Sequence, residues 1–498
     1  MHTLNLWESG RKEVAAIAEK AWYQRAGLWA GPILSGIILL SPAPEGLSSA
    51  GWRTAAAGIL MAVWWATEAL PVPVTALLPI ALFPLLQVAD IKAATAPYAN
   101  STIYLFLGGF LVALAVQRCG LHKRIALTVI VLFGGSGASM IGGFMLASAL
   151  VSMWVTNTST TMMLLPIAVS VAAVVGQTLG DSDEVQNRFP KALLLGVAYA
   201  ATIGGIATLV GTPPNALLAG FMQENYDVEI GFAQWMLVGI PLTAVLLPLC
   251  WWLLTKRLFK VTFTTNHETR EHLRRTRDAL GPMSASERRV TTVFIILAAA
   301  WMSRPLLMKI PGLEGLSDTG IAMAAGVILF LVPTSGWRSQ RLLEWKDTKE
   351  LPWGVLILFG GGLSLAAAVS SSGLAAWLGE QLTSLKLSSL VLLVVLITTL
   401  IIYLTELTSN LATTATFLPV VAAVASQAGY DPIVLCSPVA IAASCAFMLP
   451  VATPPNAVVY SSGLITIPDM IRAGFWLNII SIGLASLVAV LLVSRVLG

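Results

Sequence analysis

The stretch Thr-Pro-Pro-Asn occurs twice in this chain, as Thr212–Asn215 and as Thr453–Asn456. Each copy lies inside a long apolar segment, residues 191–222 for the first and 433–463 for the second. Proline removes a backbone N–H donor and crowds the preceding turn, so a Pro-Pro pair interrupts a helix. The sequence therefore predicts two interrupted apolar helices that break at equivalent points.

The composition around these segments is that of a protein embedded in lipid. The 498 residues are 56% hydrophobic and 11% charged, whereas a soluble protein carries about a quarter charged residues. Backbone polar groups in lipid have to be satisfied internally, which makes the spans helices. We predict an all-α polytopic membrane protein with about 11 spans, each needing about 20 apolar residues. The net charge of +4 comes from residues in short loops, so no nucleic-acid partner is expected.

The charged loops predict the orientation of the chain. The connection 256–290 carries more basic than acidic residues, and basic loops remain cytoplasmic. This places the acidic loop 223–232 outside, the N-terminus inside and the C-terminus outside. Residues 1–27 contain three glutamates and do not resemble a cleaved signal peptide. An amphipathic helix on the membrane surface over Trp7–Trp22 and a solvated leader both remain open.

An internal duplication relates the two halves. A shift of 253 residues aligns 104–121 with 357–374 at nine of eighteen positions, and it also aligns Thr156–Thr161 with Ser409–Thr414. A shift of 241 aligns the two Thr-Pro-Pro-Asn copies. Three matches in the same order indicate a duplication. The loop charges make the repeats inverted, as in many secondary transporters.

Each half also contains an apolar segment that is interrupted by an uncharged tract rich in Ser, Thr and Asn. These segments are 138–176 and 388–427. Two full spans with a short polar connection would fit, and so would a re-entrant hairpin whose tip ends inside the membrane. We favour the hairpin because the tracts carry no charge. Paired hairpins and broken helices together indicate a transport site near the midplane.

An enzyme is disfavoured. His267–His272 resembles the zinc motif H-E-x-x-H, but its second histidine follows five residues after the first. That spacing does not place both ligands on one helix face. The sequence therefore predicts a transporter that is not an enzyme.

The residues also carry a family resemblance. The segment Ala443–Val459 fits the sodium:sulfate/dicarboxylate symporter signature at every specified position, and Ala66–Thr75 and both polar tracts are similar to this family. From about residue 28 to its end, the chain resembles the divalent anion/sodium symporter family, which includes solute carrier family 13. The resemblance implies a homodimer with a fixed scaffold and a moving transport domain, which work as an elevator in a bacterial inner membrane. It implies import of C4-dicarboxylates such as succinate, malate or fumarate with sodium.

The resemblance also implies a division of the chain into domains. The parts are a cytoplasmic interfacial helix at 1–27, scaffold helices at 28–135, a first transport half at 138–222 (hairpin 138–176, broken helix 191–222), scaffold helices at 233–370 with the cytoplasmic loop 256–290, a second transport half at 388–463 (hairpin 388–427, broken helix 433–463), and a last membrane helix at 469–498.

Residue roles follow from the same resemblance. The implied substrate contacts are Asn157, Thr158, Thr212, Pro213, Ser409, Asn410, Leu411, Thr453 and Pro454. The implied sodium sites are Ser152, Thr156, Asn157 and Gly211 for the first, and Thr405, Thr408, Asn410 and Ala452 for the second. The family's Ser-Asn-Thr tip reads Ser409-Asn410-Leu411 in the second half. The missing threonine hydroxyl leaves the preferred anion open.

The predicted site contains no Lys, Arg or His in its tracts or breaks. An anion would then be held by Asn amides, hydroxyls and the N–H groups at helix N-termini. Bound sodium, about two ions or more, would supply the missing positive charge, and no organic cofactor is expected. Glu406 is a functional candidate as an intramembrane acid, and a hydrogen-bonded structural acid is an equal alternative.

Other transport modes on the same fold remain open. Sodium sites that are built mainly from backbone carbonyls leave little trace in the side chains. A sodium-independent exchanger, a proton-coupled carrier, and a transporter of sulfate, a sulfonate or citrate therefore all stay compatible with the sequence.

Overall fold

The computed structural model describes residues 21–133, 135–179, 182–265, 267–336, 339–383 and 389–497. Over these ranges the regular structure is helical, apart from two isolated β-bridges. The predicted all-α fold is therefore confirmed. The interfacial helix predicted over Trp7–Trp22 falls almost wholly in residues 1–20, outside the described ranges.

The helices follow one another with short connections. In chain order the α-helices are Trp22–Leu40, Ser49–Thr67, Val72–Thr75, Leu78–Leu85, Ile91–Thr95, Ser101–Arg118, Leu121–Leu132, Gly137–Ser152, Asn157–Leu179, Phe189–Ile206, Pro213–Tyr226, Phe232–Trp252, His267–Asp278, Ala285–Leu307, Asp318–Leu331, Trp353–Ser371, Leu374–Thr383, Leu390–Thr405, Asn410–Gln427, Pro432–Ala443, Pro454–Tyr460, Ile467–Val488 and Ser494–Val496. Short 3-10 or π segments are Ala96–Ala99, Glu184–Arg188, Leu253–Leu258, Trp345–Glu350 and Ala489–Val493.

Two helical hairpins occupy the predicted segments. The first hairpin consists of Gly137–Ser152 and Asn157–Leu179, and the second of Leu390–Thr405 and Asn410–Gln427. Each first arm has 16 residues, which corresponds to about 24 Å. The hydrocarbon core is about 30 Å thick, so these arms are too short for full spans. This favours re-entrant hairpins, whose tips are named here the first tip (residues 153–158) and the second tip (406–411).

Both Thr-Pro-Pro-Asn copies interrupt a helix as predicted. The first broken helix joins Phe189–Ile206 to Pro213–Tyr226 through residues 207–212, the first break. The second joins Pro432–Ala443 to Pro454–Tyr460 through residues 444–453, the second break. In each copy the threonine is the extended N-cap and the prolines begin the new helix. Proline suits this position because its missing N–H would have no helical partner there.

The two halves exchange packing partners. The first arm of each hairpin packs on the first part of its own broken helix. The second arm, Asn157–Leu179 in one hairpin and Asn410–Gln427 in the other, packs on the second part of the opposite broken helix. Both tips and both breaks are consequently brought to one place.

Residues that the 253-residue shift aligns occupy equivalent places in the structure. The rings of Phe106 and Phe359 pack against each other with centroids 5.2 Å apart. Gly120 and Gly373 both have φ of +80°, where each ends one helix and starts a shorter one. A side chain would strain this left-handed backbone, which explains why both positions are glycine. The short helices Leu121–Leu132 and Leu374–Thr383 were not among the predicted apolar segments.

Burial separates central helices from peripheral ones. Within the described ranges, seven helices are long and apolar enough to cross a membrane, and five further apolar helices are shorter. In Glu184–Ile206 the most apolar stretch is 94% buried inside the protein, against 22% in Ala285–Leu307. The first broken helix is therefore central, and Ala285–Leu307 turns most of its surface outward. The number of spans stays a prediction.

Candidate functional site

A cavity of about 900 Å³ lies where the tips and breaks meet. Every residue that the sequence predicted as a substrate contact lines it: Asn157, Thr158, Thr212, Pro213, Ser409, Asn410, Leu411, Thr453 and Pro454. From the predicted sodium sites, Thr156, Gly211 and Ala452 line the same cavity, whereas Ser152, Thr405 and Thr408 do not. The fold thus gathers residues from four separate segments of the chain around one space.

Part of the cavity lining, named here the apolar wall, was missed at the sequence level. It includes Val72, Phe110, Leu114, Val355 and Leu358, which come from three different helices. These residues resemble ordinary apolar helix residues in the sequence. Only the packing of their helices against the hairpin tips identifies them as cavity residues.

The cavity offers no fixed positive charge. Its lining residues, all within the described part of the chain, include no Lys, Arg or His, while Glu68 and Glu350 contribute two exposed carboxylates. A bound anion would therefore depend on neutral donors and on positive charge that arrives with it.

Two equivalent asparagine amides are candidate neutral donors at the cavity. Ser152 Oγ donates to Asn157 Oδ1 at 2.5 Å, and Thr405 Oγ1 donates to Asn410 Oδ1 at 2.9 Å. Ser152 and Thr405 are fully buried behind the tips. Neither amide nitrogen has a hydrogen-bond partner within the described ranges, and both asparagines line the cavity. Each amide is thus held by its oxygen and leaves two N–H donors for a ligand.

Helix N-termini add to these donors. Asn157 and Asn410 are the first residues of helices of 23 and 18 residues. The hydroxyls of Thr161 and Thr414 donate back to the carbonyls of Asn157 and Asn410 at 2.9 Å and 2.8 Å. The first turn of each helix therefore opens on the cavity with its positive dipole end, which favours an anion.

The first tip and the first break approach each other closely at Gly205 and Gly211. An ideal Cβ added to Gly205 would fall 2.7 Å from Asn157 Oδ1, 3.0 Å from the carbonyl oxygen of Gly211 and 3.1 Å from Asn157 Nδ2. A Cβ on Gly211 would in turn collide with the backbone of Gly205. Carbonyl and amide oxygens are ligands that hard cations prefer. These residues therefore fit the predicted first sodium site, with Gly205 as a lining residue that the sequence did not identify.

The second predicted sodium site is built differently. The 241-residue shift places Ala446 and Ala452 where the first site has its two glycines. Thr405 Oγ1 also lies 3.1 Å from the carbonyl of Ala443. The hydroxyl of Thr408 is engaged inside its hairpin, 2.6 Å from Thr413 Oγ1. The two sites are related by the repeat and are not identical.

The asparagine of each Thr-Pro-Pro-Asn copy has a structural task that the sequence did not reveal. Asn215 Nδ2 donates to the carbonyl of Thr208 at 2.8 Å, and Asn456 Nδ2 donates to that of Leu449 at 3.0 Å. Both asparagines are fully buried. These amides satisfy carbonyls that the breaks release, as a membrane interior requires. In the sequence, the recurrence of Asn at the fourth position of the motif was the feature that could have indicated this structural role.

Glu406 belongs to the second tip and bonds to the second break. Its Oε1 accepts from Phe447 N at 2.8 Å and Met448 N at 2.9 Å, and its Oε2 accepts from Met448 N at 3.0 Å and Leu449 N at 3.1 Å. Asn478 Nδ2 of the last long helix donates to Oε1 at 2.7 Å. Glu406 therefore has the hydrogen bonds that are expected of a structural acid.

Comparisons with known proteins agree with this architecture. Residues 24–497 match the family model described as the sodium:sulfate symporter transmembrane region. The chain is 41% identical over 479 residues to the sodium-dependent dicarboxylate transporter SdcS of Staphylococcus saprophyticus, covering 95% of this chain and 92% of that protein. The SdcS protein of Staphylococcus aureus matches with the same identity and coverage.

A solved structure shares the fold at low sequence identity. The YdaH transporter of Alcanivorax borkumensis, whose crystal structure has an unusual topology, aligns with a TM-score of 0.53 and 15% identity, over 94% of this chain and 96% of that one. Relatives and neighbour alike are named as transporters, which supports the interpretation that the chain is not an enzyme. By the match of its family model over nearly the whole length, the chain belongs to the sodium:sulfate symporter family.

Proposed function

We propose that the chain is a secondary active transporter that imports C4-dicarboxylates such as succinate, malate or fumarate together with sodium. The observation that carries the proposal is the pair of amides at Asn157 and Asn410, each held by a buried hydroxyl and each leaving its nitrogen free at the cavity. Two equivalent donor groups suit an anion with a charged group at each end. The SdcS relatives are named as sodium-dependent dicarboxylate transporters.

Coupling to sodium has a physical cause in this site. A dianion in a cavity that has two carboxylates and no basic residue in its described lining is repelled unless cations accompany it. In our proposal a sodium ion near Asn157 Oδ1 and Gly211 O supplies this charge. It also fixes the amide so that its nitrogen faces the cavity. Sodium therefore binds before the anion and orders its site, with about two or more ions per cycle.

The proposed movement is an elevator. The hairpins and broken helices, within residues 138–222 and 388–463, would move as a transport domain against scaffold helices within 28–135 and 233–370. The apolar wall supports this division because its side chains have no group that could form a hydrogen bond with the polar tips, which suits a surface along which the tips slide. We further propose a homodimer in the bacterial inner membrane, with lipid around it and the N-terminus in the cytoplasm.

Uptake by purified protein in liposomes tests the proposal. Labelled succinate should accumulate when sodium is outside, and should not accumulate when choline replaces sodium. A requirement for dicarboxylate inside the liposomes would instead show exchange, and uptake driven by a proton gradient without sodium would show proton coupling. Competition by malate, fumarate, α-ketoglutarate, citrate, sulfate and a sulfonate then ranks the anions. Preference for sulfate or a sulfonate would contradict the dicarboxylate assignment.

A further inference from the structure

Glu406 is a buried acid without a basic partner. Its side chain is 3% exposed, and it accepts five hydrogen bonds from three consecutive backbone N–H groups and from Asn478. No Lys, Arg or His forms an ion pair with it in the part of the chain that the structure describes. A buried charge of this kind is costly unless an opposite charge comes near it.

In the first repeat, the tip is linked to the break without a charged side chain. The 253-residue shift pairs Glu406 with Met153, and the 241-residue shift pairs Leu449 with Thr208. In the first repeat the Thr208 hydroxyl donates to the carbonyl of Met153 at 2.6 Å and accepts from Gly211 N at 3.0 Å. One repeat therefore ties its tip to its break through a neutral hydroxyl. The other uses a carboxylate at the equivalent place.

The position of this carboxylate relates it to the second cation site. Glu406 directly follows Thr405, whose hydroxyl bonds to Asn410 Oδ1. The N–H groups that it holds belong to the second break, which continues to Ala452 at the cavity. All the donors on the carboxylate are neutral, so its charge is spread over hydrogen bonds and is not cancelled.

On the basis of the proposed sodium-coupled function, we propose that Glu406 is a positioning residue for the second cation site. Its carboxylate fixes the second break against the second tip, and its uncancelled charge strengthens sodium binding between them. The first site has no such charge at the equivalent position, since Met153 stands there. The two sites would therefore differ in sodium affinity although they are related by the repeat.

The first repeat supplies a matched variant for the test. Glu406→Met combined with Leu449→Thr gives the second repeat the neutral pair of the first, and Glu406→Met alone removes the link without a replacement. Both are compared with wild type in liposomes, where the sodium concentration for half-maximal succinate uptake and its Hill coefficient are measured. Sodium-dependent shifts of the melting temperature in detergent provide a second readout.

We expect the double variant to recover the melting temperature that the single variant loses. Its half-saturating sodium concentration should still rise about tenfold, as an unscreened neighbouring charge implies. Wild-type sodium dependence in the double variant would overturn the proposal, because a neutral link would then suffice. Glu406→Asp covers the case in which neither variant folds: it keeps the charge and should stay closer to wild type in sodium affinity than Glu406→Gln. Equal losses in these two variants would also overturn the proposal. Absence of any sodium response in wild type would refute sodium coupling itself.

Discussion

In the proposed function Asn157 contributes to both the anion site and the first cation site, and its replacement by aspartate should affect them in opposite directions. The amide oxygen accepts from Ser152 and lies close to Gly205, while the nitrogen has no hydrogen-bond partner in the described ranges and the residue lines the cavity. Asn157→Asp keeps the shape of the side chain. It replaces the N–H donors with a second oxygen and adds a negative charge.

The size of the effect can be bounded from the geometry. Two like charges about 4 Å apart repel by about 1 kcal/mol in water and by about 4 kcal/mol at an effective dielectric constant of about 20. Loss of a hydrogen bond to a charged ligand adds about 1.5 kcal/mol or more. Even with the smaller value, that for water, the sum is about 2.5 kcal/mol, so succinate should bind roughly 50-fold more weakly or worse. Sodium affinity should rise about fivefold or more, because a carboxylate replaces a neutral oxygen ligand.

Two titrations of purified protein measure both effects. Calorimetry with succinate at fixed sodium reports the anion affinity, and sodium-dependent melting temperatures without succinate report the cation affinity. Asn225→Asp is the matched control, since Asn225 is half-buried at a helix end, does not line the cavity and gains the same charge. If both affinities fell together, or if only the succinate affinity changed, the assignment of one amide to both sites would be wrong.

Three further predictions follow from the site. Gly205→Ala should push Asn157 and the Gly211 carbonyl away from their positions and abolish the sodium response of the proposed first site, whereas Gly483→Ala, which meets open space, should leave sodium-dependent melting unchanged. Leu411→Thr restores a hydroxyl at the second tip and should raise affinity for malate over succinate about two- to tenfold in competition assays; an unchanged ratio would remove Leu411 from the specificity determinants. Asn456→Ala removes the amide bonds to the carbonyls of Ala446 and Leu449, of which the second keeps its bond from Ala452 N, and should cost about 2 kcal/mol of stability, seen as a lower melting temperature even at saturating sodium.

Much of the architecture followed from the sequence because its causes are local or repeated. The Pro-Pro pairs end helices wherever they occur, and both breaks lie at the predicted positions. The uncharged tracts at 156–161 and 409–414 lie where each hairpin turns into its second arm, because their side chains can satisfy backbone groups at that helix start. Because each feature occurs in both repeats, the sequence supports its prediction twice.

Contacts that depend on the tertiary path of the chain could not be predicted from the sequence. Gly205 and Gly211 look like ordinary helix glycines until the first break folds one against the other. The two carbonyl tethers from Asn215 and Asn456 depend on the exact path of each break. Likewise, the two open alternatives for Glu406 could not be separated while its partners at Phe447 and Asn478 were unknown.

The Thr-Pro-Pro-Asn copies and their polar tracts determined by themselves that this chain folds into paired hairpins and broken helices in a membrane. Those features arise from missing N–H groups and from the low solubility of polar backbone in lipid, which act on neighbouring residues. The tertiary structure alone decided which atoms face the shared cavity. It packed the second arm of each hairpin on the opposite broken helix, placed Asn157 and Asn410 in the lining of the cavity, and put the Glu406 carboxylate in one repeat where the other has a neutral link. Such contacts depend on residues far apart in the chain, whose packing no local pattern encodes.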